Sequence, residues 1–188
     1  MRLFLLAALV VWLPGCQNST ADKDAPEALL AFIPPHFMLA DTARGDLNLD
    51  GIMDLVMVLS PDADSLSSPE NPEERPLLLL LGQKNNTYEE ALRHPKVIFC
   101  RSCGGLLGDP YQKVSITNGT LTVEHFGGSS WKWARTTTFK YIPAEKDWYL
   151  AEDAFVSYHG GDPDDLETRI LTPKDFGEVR LSAFNIYD

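Results

Sequence analysis

Four oxygen-bearing side chains, Asp46, Asn48, Asp50 and Asp54, fall within nine residues around Gly51, immediately ahead of an apolar run. A hard cation such as calcium takes six to eight oxygens at about 2.3–2.6 Å, and a tight loop supplies them from positions 1, 3 and 5. Asp46, Asn48 and Asp50 occupy those positions. Gly51 follows at the sixth and tolerates the positive φ of a sharp turn. The carbonyl of Ile52 is the expected seventh-position ligand, and Asp54 closes the set. The pattern therefore predicts a structural Ca2+. The alternative is a plain acidic loop. Three carboxylates about 5 Å apart would then repel by roughly 1–3 kcal/mol per pair, a cost that a cation reverses. An EF-hand is excluded, because Met57 stands where that loop needs a bidentate Glu and a strand pattern follows.

Cys100 and Cys103 form a C-x-x-C that has three readings. A zinc site needs two more ligands, and no second C-x-x-C or clustered His pair supplies them. A redox centre normally opens a helix, whose N-terminus lowers the thiol pKa, yet Gly104-Gly105 follows at once. A structural disulfide is the expectation, with redox chemistry as the alternative. Closing so small a ring is worth about 2 kcal/mol by loop entropy, which makes it a local clip.

His125, His159, Asp162, Asp164 and Asp165 are the other titratable candidates. Their spacing fits no zincin, serine triad or glycosidase carboxylate pair, so His125 is expected to face the core and the acids to face water. No catalytic residue is assigned. Trp131, Trp133 and Tyr158 are candidate ligand-binding aromatics, a stacking platform for sugar. Core packing is their alternative role.

The loop "GDLNLDGIMDLVMVL" resembles the calcium loop of FG-GAP and VCBS-type repeats, the integrin-α-like D-x-[DN]-x-D-G-x-x-D pattern ahead of an apolar strand. That resemblance implies a loop at the tip of a β-hairpin. Such repeats usually build a seven-bladed propeller, for which one copy in 188 residues is far too little. The wider run from Phe32 to Leu59, with "SSWKW" behind it, is similar to small secreted bacterial proteins carrying one such loop. Neither resemblance transfers a catalytic residue.

Residues 1–15 read as a signal peptide: Arg2, an apolar stretch, then "LPGC". The stretch of about eleven residues is too short to span a bilayer as a helix. Leu13 to Cys16 resembles a bacterial lipobox, which implies cleavage before Cys16 and lipid attachment there; the alternative is an ordinary secretory signal or an uncleaved anchor. Gln17 follows in place of an inner-membrane-retaining Asp. The expected location is the cell envelope, lipid-anchored, at the outer membrane. Residues 16–24 read as a tether and 25–188 as one domain; about 170 residues can bury a real core. The net charge of -11 repels nucleic acid and anionic head groups and suits cations.

The elements that must position these residues read as follows. "DAPEALLAFI" is a short helix capped by Asp24 and stopped by Pro34-Pro35. "LVMVL" (55–59) and "LLLLL" (77–81) are buried strands, separated by an acidic, proline-punctuated loop. "YEEALRH" fits either a helical turn or an edge strand. Asn118-Gly119 between alternating runs predicts a two-residue hairpin pairing Ile116 with Leu121, Val114 with Val123, Ser115 with Thr122 and Lys113 with Glu124. "WKWARTTTFKY" and "WYLAEDAFVSY" continue the strands, "HGGDPDDLET" reads as an acidic loop, and the tail is unassigned.

The expected fold is mainly β (α+β), an antiparallel meander or sandwich with a short N-terminal helix and a calcium-binding hairpin loop. The expected function is a lipid-anchored envelope module that binds a glycan, peptidoglycan or an envelope protein, and not nucleic acid. The alternative is an envelope redox or hydrolytic enzyme using Cys100/Cys103 or the His159–Asp162 region.

Overall fold

The computed structural model describes residues 27–62 and 73–188. The signal segment 1–15, Cys16, the tether 16–24 and the expected helix cap Asp24 lie outside the described residues. The chain is mainly β, in two antiparallel sheets of four and five strands. The first holds β1 (Phe37–Gly45), β2 (Asp54–Pro61), β3 (Leu77–Gly82) and β4 (Tyr88–His94); the second holds β5 (Tyr111–Thr117), β6 (Thr120–Gly128), β7 (Trp131–Ile142), β8 (Asp147–His159) and β9 (Asp162–Leu171). In both sheets, neighbours in space are neighbours in sequence. Among the described residues α-helix is confined to two single turns, α1 (Glu27–Leu30) and α2 (Pro173–Phe176).

The apolar runs behave as their composition demands. Every residue of β2 is buried, because the strand lies between β1 and β3 with a core cluster on each face. Val56 and Val58 join Leu77, Leu79, Val123, Phe139 and Trp148 in a core shared by both sheets. Leu55, Met57 and Leu59 face the opposite way, under Leu29, Phe32 and Ile33. A strand without a wet face needs no alternation, which is why "LVMVL" shows none.

The Asn118-Gly119 hairpin forms in the expected register, Ile116 opposite Leu121, Val114 opposite Val123, Ser115 opposite Thr122 and Lys113 opposite Glu124. Both turn residues have positive φ, 47° and 72°, as a two-residue turn of this twist requires. "YEEALRH" resolves as strand β4, at the edge of its sheet. One expectation fails. The acidic stretch from Asp162 is not a loop but strand β9, returning after Gly160-Gly161 to pair Ser157 with Glu167 and Val156 with Thr168. Its charges suit a sheet edge, where they discourage pairing with another chain.

Candidate functional site

The oxygen-rich loop spans residues 46–53, between β1 and β2, whose pairing begins at Gly45 opposite Asp54. It joins the two sheets. Leu47 is fully buried in the shared core. Its carbonyl accepts a hydrogen bond from Trp148 Nε1 at 3.2 Å, and the Asp46 carbonyl accepts from the Gly119 amide of the β5–β6 turn at 3.0 Å.

Within the loop the side chains organise the backbone. The Asp46 carboxylate accepts from the amides of Asp50 at 3.1 Å and Gly51 at 3.0 Å. Asn48 Oδ1 accepts from the Asp50 amide, and Asn48 Nδ2 donates to Asp50 Oδ2 at 2.8 Å. Asp50 Oδ1 accepts from the Ile52 amide at 2.8 Å. Gly51 takes the positive φ, 84°, expected at the sixth position, and Leu49 is also left-handed at 60°.

Asp54 plays a different part. It is fully buried. One carboxylate oxygen accepts from the amides of Leu47 at 2.8 Å and Asn48 at 3.2 Å, and the other from Gly82 at 2.9 Å. It thus ties the loop to the end of β3. Burial pushes its carboxyl above the ordinary value, the three amides pull it back, and the nearby Asp50 charge adds a smaller upward push. With about four lone-pair sites on a carboxylate, three are taken.

Among the described residues no three His, Cys, Asp or Glu side chains gather as a ready metal group. The loop's donors are nevertheless all oxygen: the carboxylates of Asp46 and Asp50, the Asn48 amide, the Ile52 carbonyl and one lone pair of Asp54. That chemistry fits a hard cation. A cleft of about 460 Å³ opens beside it, lined by Asn48, Asp50, Ile52 and the β3–β4 turn from Leu81 to Asn85.

The aromatic candidates separate by strand parity. Trp131 and Trp133 share one face of β7, with His159 and Ser157 opposite them on β8, whereas Tyr158 pairs with Lys132 on the other face. Trp131 is 57% exposed and meets His159 edge-on at 5.4 Å. The Trp133 ring lies nearly parallel to Phe155, 14° apart with centroids 6.5 Å distant. Gly127 makes room for it: a Cβ there would stand 2.6 Å from the indole. Phe155, 40% exposed, pairs with Arg169 of β9. Both line a cavity of about 280 Å³ with Arg135, Asp153, Leu171 and Asp188. Phe155, Glu167 and Arg169 escaped the sequence reading because β8 carries apolar residues on both faces, and β9 was not recognised as a strand.

Deeper on this face sits His125, 2% exposed. Its Nε2 accepts from the Phe99 amide at 3.3 Å. Burial, then the guanidinium groups of Arg75 and Arg135, push its pKa down to about 3. It is neutral and core-facing, as expected, and too hard to protonate for acid–base work near neutrality.

Cys100 and Cys103 stand at disulfide distance, Cα to Cα 5.1 Å. They lie in a turn followed by a 3₁₀ turn at Gly105–Leu107, so no α-helix N-terminus activates a thiol. The Cys100 amide donates to Tyr187 Oη at 3.0 Å, fixing the C-terminal segment. His159 and Asp162 are neighbours across the β8–β9 turn. The His159 ring accepts from the Gly161 amide at 3.2 Å. Of Asp164 and Asp165 the structure shows only exposed positions on β9.

No family model, curated protein or solved structure matches this chain.

Proposed function

We propose that this chain is a lipid-anchored cell-envelope protein, held at the outer membrane through Cys16, whose domain binds a saccharide across Trp131, Trp133 and Phe155. A calcium ion in the Asp46–Asp54 loop is its structural cofactor, held by Asp46, Asn48, Asp50, the Ile52 carbonyl and Asp54. The observation that carries the binding role is the shared face of Trp131 and Trp133, with Trp131 more exposed than buried at 57%. Aromatic rings that serve packing hide their faces. An indole left half in water, beside a second indole aligned with Phe155, offers a flat apolar surface to the C–H face of a pyranose. Polar groups border it, His159 and Ser157 along β8 and Arg169 on β9, as a ligand pocket requires for orientation. The calcium role is supported by the all-oxygen donor set and by the loop's place at the junction of the sheets.

A glycan array probed with the full chain tests the binding. Trp131→Ala is expected to lose at least about tenfold in affinity, or roughly 1.4 kcal/mol, at unchanged melting temperature. Silence across the array, or equal binding by the variant, refutes it. Thermal melts with calcium and with chelator test the cation. At a Kd near 0.1 mM, millimolar calcium stabilises the fold by about 1.4 kcal/mol. Asp50→Ala is expected to remove that response, and identical melting of both proteins in both conditions would retire the ion.

A further inference from the structure

The aromatic face has an electrostatic border, and from it we infer that the saccharide carries amino groups, as in a glucosamine oligomer, rather than carboxylates or sulfates. This rests on the saccharide-binding role proposed above.

Register places the border. Trp133, Ser157 and Glu167 lie in one row across β7, β8 and β9, and Trp131, His159 and Asp162 in the next. Glu167 and Asp162 thus stand on β9, one strand beyond β8 and two from the indoles, with a register shift between Tyr158 and His159 separating their rows. Asp164 and Asp165 sit on the same strand, all four residues are exposed, and among the described residues none makes an ion pair within 4 Å.

The cations nearby offset them only in part, one exposed arginine against four carboxylates. Arg135 is spent on Asp153, donating to both carboxylate oxygens at 3.0 and 2.8 Å. Arg169, opposite Phe155 on the same face, makes no ion pair within 4 Å among the described residues and sets one positive charge against the acids of β9. Lys132 belongs to the opposite face by register, and its ammonium donates to the Ser129 carbonyl.

An ammonium-bearing sugar meets two attractions here. The ring faces present the negative side of their quadrupole to a cation, and the free carboxylates add Coulomb attraction that survives at partly screened distances. A carboxylated or sulfated sugar meets the same border as repulsion, reinforced by the net charge of -11. A neutral sugar gains the stacking alone.

Isothermal titration of the full chain near pH 6 decides between these. The probes are glucosamine oligomers, their N-acetylated counterparts, uronic acid oligomers and oligolysine, each in about 50 and about 200 mM salt. The expected result is a preference of at least about tenfold for the glucosamine oligomer over the N-acetylated one, or roughly 1.4 kcal/mol. That preference should shrink in high salt and in the D162N/E167Q variant, and uronic acid oligomers should bind weakest. Equal affinity for both neutral and amino sugars overturns the charge inference but leaves saccharide binding standing. If no saccharide binds, both fall. Oligolysine binding as tightly, with no loss in Trp131→Ala, overturns it in favour of an unselective acidic surface.

Discussion

Lowering the pH should weaken this fold through His125. The ring is 2% exposed and lies among Phe99, Tyr111 and the guanidinium groups of Arg75 and Arg135. Burial is the first cause of its pKa falling from 6.5 to about 3, and the two arginines follow. The unfolded chain takes up a proton below its ordinary value that the folded chain refuses until far lower. Stability therefore rises with pH across that window and is lost progressively as pH falls through it. At about 1.4 kcal/mol per pH unit, the whole window is worth roughly 4–5 kcal/mol, of which about 2 kcal/mol is lost between pH 7 and 5. His94 also has a lowered pKa, led by burial, and adds a slope of the same sign. Substitution separates the two. In His125→Gln the amide oxygen still accepts from Phe99 N–H and the titration is gone. Urea unfolding of both proteins at about pH 7, 6 and 5 should show the wild type losing about 2 kcal/mol more than the variant. Parallel slopes, or an NMR titration of the His125 ring near its ordinary value, would refute the reasoning.

Two further outcomes follow from the same geometry. Asp54→Ala strips the buried amides of Leu47 and Gly82, and the half-buried amide of Asn48, of their acceptor. It should destabilise by at least about 3 kcal/mol at 1–3 kcal/mol per orphaned group, measured by urea unfolding in chelator so that no cation contributes. Replacing Cys100 and Cys103 by serine should cost only about 2 kcal/mol. Hydrogen exchange should quicken mainly around Tyr187, because the ring is small and its anchor is the Cys100 amide to Tyr187 hydroxyl bond; loss of cooperative unfolding would contradict a local clip.

Local chemistry was legible wherever one short stretch carries its own constraint. Asn118-Gly119 between alternating runs fixes both a turn and a register, since a slip of one residue would turn every buried side chain outward. The two-sided apolar character of residues 55–59 marks a strand covered on both faces. The Asp46–Asp54 spacing announces a loop built from side-chain oxygens, and its inner hydrogen bonds run between residues two to seven apart.

What tertiary structure decided are the partners that lie far apart in the chain. The third amide on Asp54 comes from Gly82 and the indole on the Leu47 carbonyl from Trp148, so the sheet junction exists only once both sheets have formed. The acidic stretch from Asp162 lacks the apolar alternation of a strand because it is an edge, covered by neither sheet, and only its hydrogen bonds to β8 extend it. Which aromatics share a face was likewise open until β7 and β8 paired. Parity along one strand says that Trp131 and Trp133 point the same way; only cross-strand register brings Phe155 alongside and sends Tyr158 to the other side.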